Sequence, residues 1–330
     1  MASWSFSTFL IVFCSGVIGT CLGTLWSILL CSILVVAGIC VAMAGGSPFL
    51  LTTVALGPFF SPALGGFAVP IVSSVYSAYV RKNHPTGNGK DIMAPLMQTS
   101  WDVLAVGGVT ACINWTLFNL FNMVPVLNQC DVLSLVIVIS SLLARVLFAK
   151  ETVFGDKDSI EQFGLLGTNH GEIAWQPSQS KDFPRSLVFA GCAGIVSGGV
   201  ALAILDAAKP LISAGTMTTT VGNVCAEMAC WGFAVLSLLP QFFATPRFNH
   251  TPSWHAMCVC AALATMYTSN LAVGAVVGMG TWLVQELMAR LIVNHANKSY
   301  CDPPASAVAV CIFIVNMLFS PAFLNLGSIF

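Results

Sequence analysis

Apolar runs of about 18 residues or more recur along the whole chain, and each is long enough to cross a hydrocarbon layer of roughly 30 Å. No other feature restricts the fold so strongly, because such a chain has too little polar surface to keep a soluble domain hydrated. Charged residues make up 8% of the sequence, against roughly 25% in soluble domains. Hydrophobic residues make up 57%, and the mean hydropathy is +0.87. The runs do not alternate polar with apolar, as the strands of a membrane β-barrel would. The expected fold is therefore all-α, a polytopic helical membrane bundle of about nine to eleven spans.

Glycine and proline divide the runs. Residues 5–44 are too long for one helix, and Gly16, Gly19 and Gly23 predict a break into 5–22 and 24–44. Gly45-Gly46-Ser47-Pro48 then ends the second helix. Residues 48–60, interrupted by Gly57-Pro58, are short for a span and long for a loop, which predicts a re-entrant or interfacial piece. Further helices are expected near 62–80, 101–124, 132–149, 186–205, 219–240, 271–293 and 303–319, with 254–268 as the counterpart of 48–60. Trp4, Trp101, Trp254 and Trp282 fall near expected ends, where an aromatic belt would place them. Met1 to Gly23 carries no lysine or arginine, so it lacks the basic region of a secretory signal and reads as a first span.

Charge clusters in one place. Residues 150–185, with Lys150, Glu151, Asp156, Lys157, Glu172 and Arg185 among them, read as a polar linker between a first membrane half, 1–149, and a second, 186–330. Two repeats suggest that the halves are duplicates. Asn83-His84, six residues and Asp91 reappear as Asn294-His295, six residues and Asp302. Cys14-Ser-Gly16-Val-Ile is echoed by Cys192-Ala-Gly194-Ile-Val. If 48–60 does not cross, an odd number of spans separates these two segments and the second half is inverted, an arrangement common in transporters; if it crosses, the halves are parallel. Inversion is the expected case, and it would put the two Asn-His loops on opposite sides. Arg81, Lys82 and Lys90 favour the cytoplasm for the first of them.

In a chain this apolar, polar residues near or inside spans are the candidate site. Asp91 and Asp302 each precede proline and an apolar run, a helix-start signature in which the carboxylate caps free N–H groups. Capping alone can explain them; at a broken helix within the membrane, the same carboxylates would also face a solute path. His84 and His295 titrate near neutral pH and can carry protons, or be loop residues without a specific task. Asn83 and Asn294 accompany them. Glu227 and Glu286 are lone acids within apolar runs, candidates for a coupling proton or ion, and Glu227 has Lys209 or Arg247 as conceivable partners. Asn119 and Asn122 share a helical face with Trp115, facing either an interior surface or a neighbouring helix. Glycines at Gly194-x3-Gly198 and Gly274-x3-Gly278 suit close helix packing.

Several classes are set aside. The net charge of −1 gives no footprint for nucleic acid. The cysteines lie mostly in apolar runs and read as packing residues. No metal spacing, phosphate loop or nucleophile elbow is present, so no cofactor, no metal and no enzymatic activity are expected. Ser61-Pro62-Ala63-Leu64-Gly65-Gly66 and Asp302-Pro303-Pro304-Ala305-Ser306-Ala307 resemble motifs of the HPP family of integral membrane proteins, whose His-Pro-Pro signature is followed by small residues. Aspartate stands here in place of that histidine, and no substrate is carried over. The expected function is a secondary transporter or permease for a small solute, multi-pass in the cell membrane. Its expected partners are the lipid bilayer, a small solute or ion, and a second copy of itself in a homo-oligomer. A channel, or a membrane-embedded subunit of a larger complex, is the alternative.

Overall fold

A computed structural model describes residues 4–167, 183–240 and 252–320. Among the described residues the chain is helical and forms no strand beyond one isolated bridge, Thr152 to Gly155. Five helices are long and apolar enough to cross a membrane: Thr24–Met43, Trp101–Asn122, Val132–Ala149, Phe183–Ser213 and Leu271–Ile292. Three shorter apolar helices accompany them, Phe6–Leu22, His255–Thr268 and Pro303–Phe319. Large apolar side chains such as Ile33, Ile113, Val196, Val276 and Leu318 point outward. Extended apolar faces of this kind suit lipid rather than water.

In the first half, α1 (Phe6–Leu22) starts where the Ser5 hydroxyl accepts a bond from Thr8 N. It stops at Gly23, whose φ of 82° lies in the left-handed region that glycine enters without strain. The next residue opens α2 (Thr24–Met43), so the expected break holds. A π-helical turn, Leu50–Ala55, follows, and residues 56–67 thread back into the bundle without forming a helix. Within them Gly65 lies against the α1 backbone at Ser15 and Gly19, closer than any side chain would allow. Then α3 (Ala68–Tyr76) begins midway along the bundle, where Val69 packs with Val12 and Trp115. A π-helical turn, Ser77–Arg81, extends it to one end. The helix expected from residue 62 thus starts later, because 62–67 are held in the re-entrant turn.

Next come α4 (Trp101–Asn122) and α5 (Val132–Ala144, extended by Arg145–Ala149). α4 runs antiparallel to α1, and at their crossing Gly16 meets the Gly107 carbonyl. A short helix, α6 (Lys157–Phe163), lies in the linker; the linker beyond residue 167 lies outside the described residues. The second half holds α7 (Phe183–Ser213), α8 (Thr219–Leu236), α9 (His255–Thr268), α10 (Leu271–Ile292) and α11 (Pro303–Phe319). α7 and α10 are antiparallel and cross with Gly194 against the Gly274 carbonyl. α9 starts midway along the bundle, where Met257 packs with Ala190 and Trp282.

The segment 254–268 is therefore a helix that packs on α7, α10 and α11, as α3 packs on α1, α4 and α5. Trp282 is only 5% exposed and the Trp254 indole donates to Ser237 Oγ at 2.8 Å, so these two belong to the interior; Trp4 and Trp101 are the exposed ones.

The halves meet along two seams. α2 packs on α8, where Ser32 Oγ donates to the Gly232 carbonyl at 2.8 Å, and α5 packs on α11. One end of the bundle is closed by polar contacts. Lys90 Nζ donates to the carbonyls of Val293 and Ala296, at 3.0 and 2.6 Å. Arg145, fully buried, donates Nε to Ser299 Oγ and Nη2 to the Ile292 carbonyl. Glu151 accepts from Asn297 N, Lys298 N and Ser299 Oγ. α3 runs from the middle towards this end, and α9 runs from the middle towards the other.

Candidate functional site

A cavity of about 230 Å³ lies between the halves. Its polar wall comprises Asp131, Glu227, His255, Tyr300 and Asp302, with Ser134 and Ser253, and Trp231 adds an aromatic face. Apolar side chains from α2, α5, α8, α9 and α11 complete it. Among the described residues, no lysine or arginine lines it.

Two of its acids hold helix starts. The Asp131 side chain accepts from Ser134 N at 2.6 Å and caps α5. Asp302 Oδ2 accepts from Ala305 N at 2.8 Å and caps α11, while its Oδ1 accepts from the Tyr300 hydroxyl at 3.0 Å. Pro303 and Pro304 suit that first turn, where a missing N–H costs nothing. Each cap contributes about 1 kcal/mol to its helix. Both capped starts open onto the one cavity. Glu227 differs, since it comes from the middle of α8 and has no hydrogen bond or ion pair with any described residue. Asp131 lies near enough to act on it electrostatically. Lys209 pairs instead with Asp206, at 2.6 Å, and Arg247 lies outside the described residues.

The remaining sequence candidates lie elsewhere. Asp91 caps no helix: α4 begins at Trp101 behind Ser100, and Asp91 sits in the preceding loop. There its Oδ1 accepts from Met93 N and its Oδ2 from Thr86 Oγ1, so it orders a turn. The buried His84 bonds through Nε2 to Ser74 Oγ at 2.9 Å. Burial lowers its pKa, partly opposed by the charge of Asp91. Asn83 links Ser77 to Ser100. His295, fully buried, bonds Ser159 Oγ through Nδ1, and Asn294 donates to the Gly167 carbonyl. Glu286 pairs with Arg290 at 3.1 Å.

Asn119 and Asn122 donate to the Trp115 and Phe118 carbonyls of their own helix and do not reach the cavity. The inward asparagine of α4 is Asn114, fully buried, whose Nδ2 donates to the Ala63 carbonyl at 2.7 Å.

The two Asn-His loops meet at the same end through Lys90, Val293 and Ala296, not on opposite sides as the inversion read from their spacing required. Their common spacing does not mark equivalent positions, since one loop follows α3 and the other follows α10. A different interval matches the packing. Cys130-Asp131 precedes α5 as Cys301-Asp302 precedes α11, and the same interval relates Asn114 to Gln285. Asp131 and Tyr300 were thus absent from the sequence reading. The repeated Cys-Asp pair was the signal that could have found Asp131.

Among the described residues, no group of three or more histidine, cysteine, aspartate or glutamate side chains is placed to hold a metal ion. No curated protein and no solved structure gives a significant match to this chain, and the HPP resemblance gains no support from these comparisons. Residues 1–165 match the family described as "Family of unknown function (DUF7973)". That match spans half of the sequence, and the chain belongs to this family.

Proposed function

We propose that the chain is an integral membrane permease, a secondary transporter that moves a small solute through the cavity between two related halves. The observation that carries this reading is the cavity itself. Its polar groups come from both halves, and Asp131 and Asp302 hold helix starts on its wall. The helices that start midway, α3 behind Phe67 and α9 at His255, reach the same cavity, and helix starts inside a membrane bundle are the usual seat of transported solutes, because their ends offer polar groups where lipid offers none.

We read the two halves as an inverted duplication, which fits the same proposal. Each half supplies five main helices, α1 to α5 and α7 to α11, and the partners within one half correspond to those within the other. α3 and α9 both begin midway and run to opposite ends, as inversion requires. The crossings at Gly16–Gly107 and Gly194–Gly274 correspond as well. With five crossings in each half, the second half enters from the opposite side, and this register also allows the two Asn-His loops to share one end. Arg81, Lys82, Lys90, Arg290 and Lys298 gather there, which assigns that end to the cytoplasm of the cell membrane.

Reconstitution into proteoliposomes tests the proposal against a panel of small solutes. Saturable counterflow is expected for a permease. Gradient-driven flux without counterflow would make the protein a channel, and no flux together with stable co-purification of a partner would make it a subunit.

A further inference from the structure

We infer that the cavity binds a compact organic cation, a protonated amine or a quaternary ammonium, seated against Glu227 and the ring of Trp231. The inference deepens the permease reading by naming the class of its solute, but binding can be tested apart from transport.

Three observations converge on it. The carboxyl groups on the wall are Asp131, Glu227 and Asp302; among the described residues no lysine or arginine lines it, and the imidazole of His255 stands beside the Trp231 ring. Asp131 and Asp302 are already engaged by the helix starts that they cap, whereas Glu227 has no protein partner among the described residues. A carboxylate left without a partner among apolar side chains is costly, and a bound cation relieves that cost. Aromatic faces of Phe67, Trp231 and Tyr300 share the wall, and a cation over such a face gains about 2 kcal/mol or more where water is excluded.

The same wall argues against two other ligands. An anion would meet three carboxyl groups and, among the described residues, no lysine or arginine. A bare metal ion needs several converging ligands, and no such group occurs among the described residues. A cavity of about 230 Å³ bordered by apolar side chains suits a molecule with a hydrocarbon body.

The test uses the full chain in lipid nanodiscs and two probes of the same shape. Choline carries a trimethylammonium group, and 3,3-dimethylbutan-1-ol replaces it with an uncharged tert-butyl group. Calorimetry is expected to show saturable binding of choline, at least about tenfold tighter than that of the neutral probe. Glu227→Gln keeps the shape and removes the charge, so it is expected to weaken choline by at least about tenfold while binding of the neutral probe stays unchanged and the melting temperature does not fall. Trp231→Leu is expected to weaken choline as well.

Equal binding of the two probes, no choline binding, or undiminished choline binding by Glu227→Gln would overturn the inference. Choline binding without counterflow of any solute would leave the inference standing and remove the permease. Saturable counterflow of a neutral or anionic solute, without choline binding, would do the reverse.

Discussion

Asn114 and Gln285 each donate a side-chain amide from a long helix to a backbone carbonyl. Asn114 Nδ2 on α4 donates to the Ala63 carbonyl at 2.7 Å, and Gln285 Nε2 on α10 donates to the Ser253 carbonyl at 3.3 Å. Each acceptor belongs to the segment just before a helix that starts midway along the bundle, α3 or α9. Non-helical backbone at that depth must find donors within the protein, because lipid offers none. Both amides are almost wholly buried and hold these segments in place.

Replacing either amide by a side chain of similar size therefore strands a buried carbonyl. Asn114→Leu and Gln285→Leu are each expected to cost about 1–3 kcal/mol. Thermal unfolding in detergent checks this, and an unchanged melting temperature in both variants would remove the shared role.

The two caps predict a graded series. Asparagine caps helices about as well as aspartate, so Asp131→Asn and Asp302→Asn are expected to keep stability. Asp131→Ala and Asp302→Ala are expected to lose about 0.5–2 kcal/mol. If the carboxylates also serve the solute, the asparagine variants lose counterflow while remaining folded. Normal flux by the double asparagine variant would reduce both residues to caps.

Gly16 and Gly194 allow backbone contact that no larger residue permits. A Cβ at Gly16 would strike the Gly107 carbonyl, and one at Gly194 the Gly274 carbonyl. Gly16→Ala and Gly194→Ala are each expected to destabilise by about 1–3 kcal/mol, as overpacking does. Gly280, with open space around its Cβ position, is the control, and Gly280→Ala is expected to change little.

Lys90 gives the closed end a pH signature. Burial, helped by the nearby charge of Arg145 and opposed by Glu151, lowers its pKa from 10.5 to about 8. Between those values the unfolded chain holds a proton that the folded chain lacks, so stability rises with pH across that window. Below about 8 the amine is charged in both states and this contribution stays flat at its least favourable value. The melting temperature of the unchanged chain is therefore expected to rise relative to that of Lys90→Met between these values. Parallel profiles would contradict the shift.

Much of the fold was legible in the sequence because its signals are local. Gly23 breaks α1 from α2 where the glycine spacing placed the break, and α4 and α5 fall where long apolar runs end at polar turns. Residues 62–67 were misread because hydropathy does not distinguish a buried turn from a helix: both are apolar, and packing on α1 separates them. The site was legible in part. Asp302 and Glu227 stood out as acids in apolar surroundings, and both reach the cavity. Asp131 did not, since a cap at the end of an ordinary loop carries no mark until its helix is seen beside α11. The Asn-His spacing drew attention to Asp91 and to two loops that the fold brings together at one end. Asp302 gained its place at the cavity from a separate relation, the one it shares with Asp131.

The most direct test of the central claim, that the cavity lies on a path across the membrane, is labelling of Glu227→Cys with a membrane-impermeant cationic thiosulfonate. The reagent is added to either face of sealed proteoliposomes, with the unchanged chain as background for its own cysteines. A permease predicts labelling above background from both faces. Labelling from one face only, or only after unfolding, would contradict the account and leave the cavity a pocket without a path.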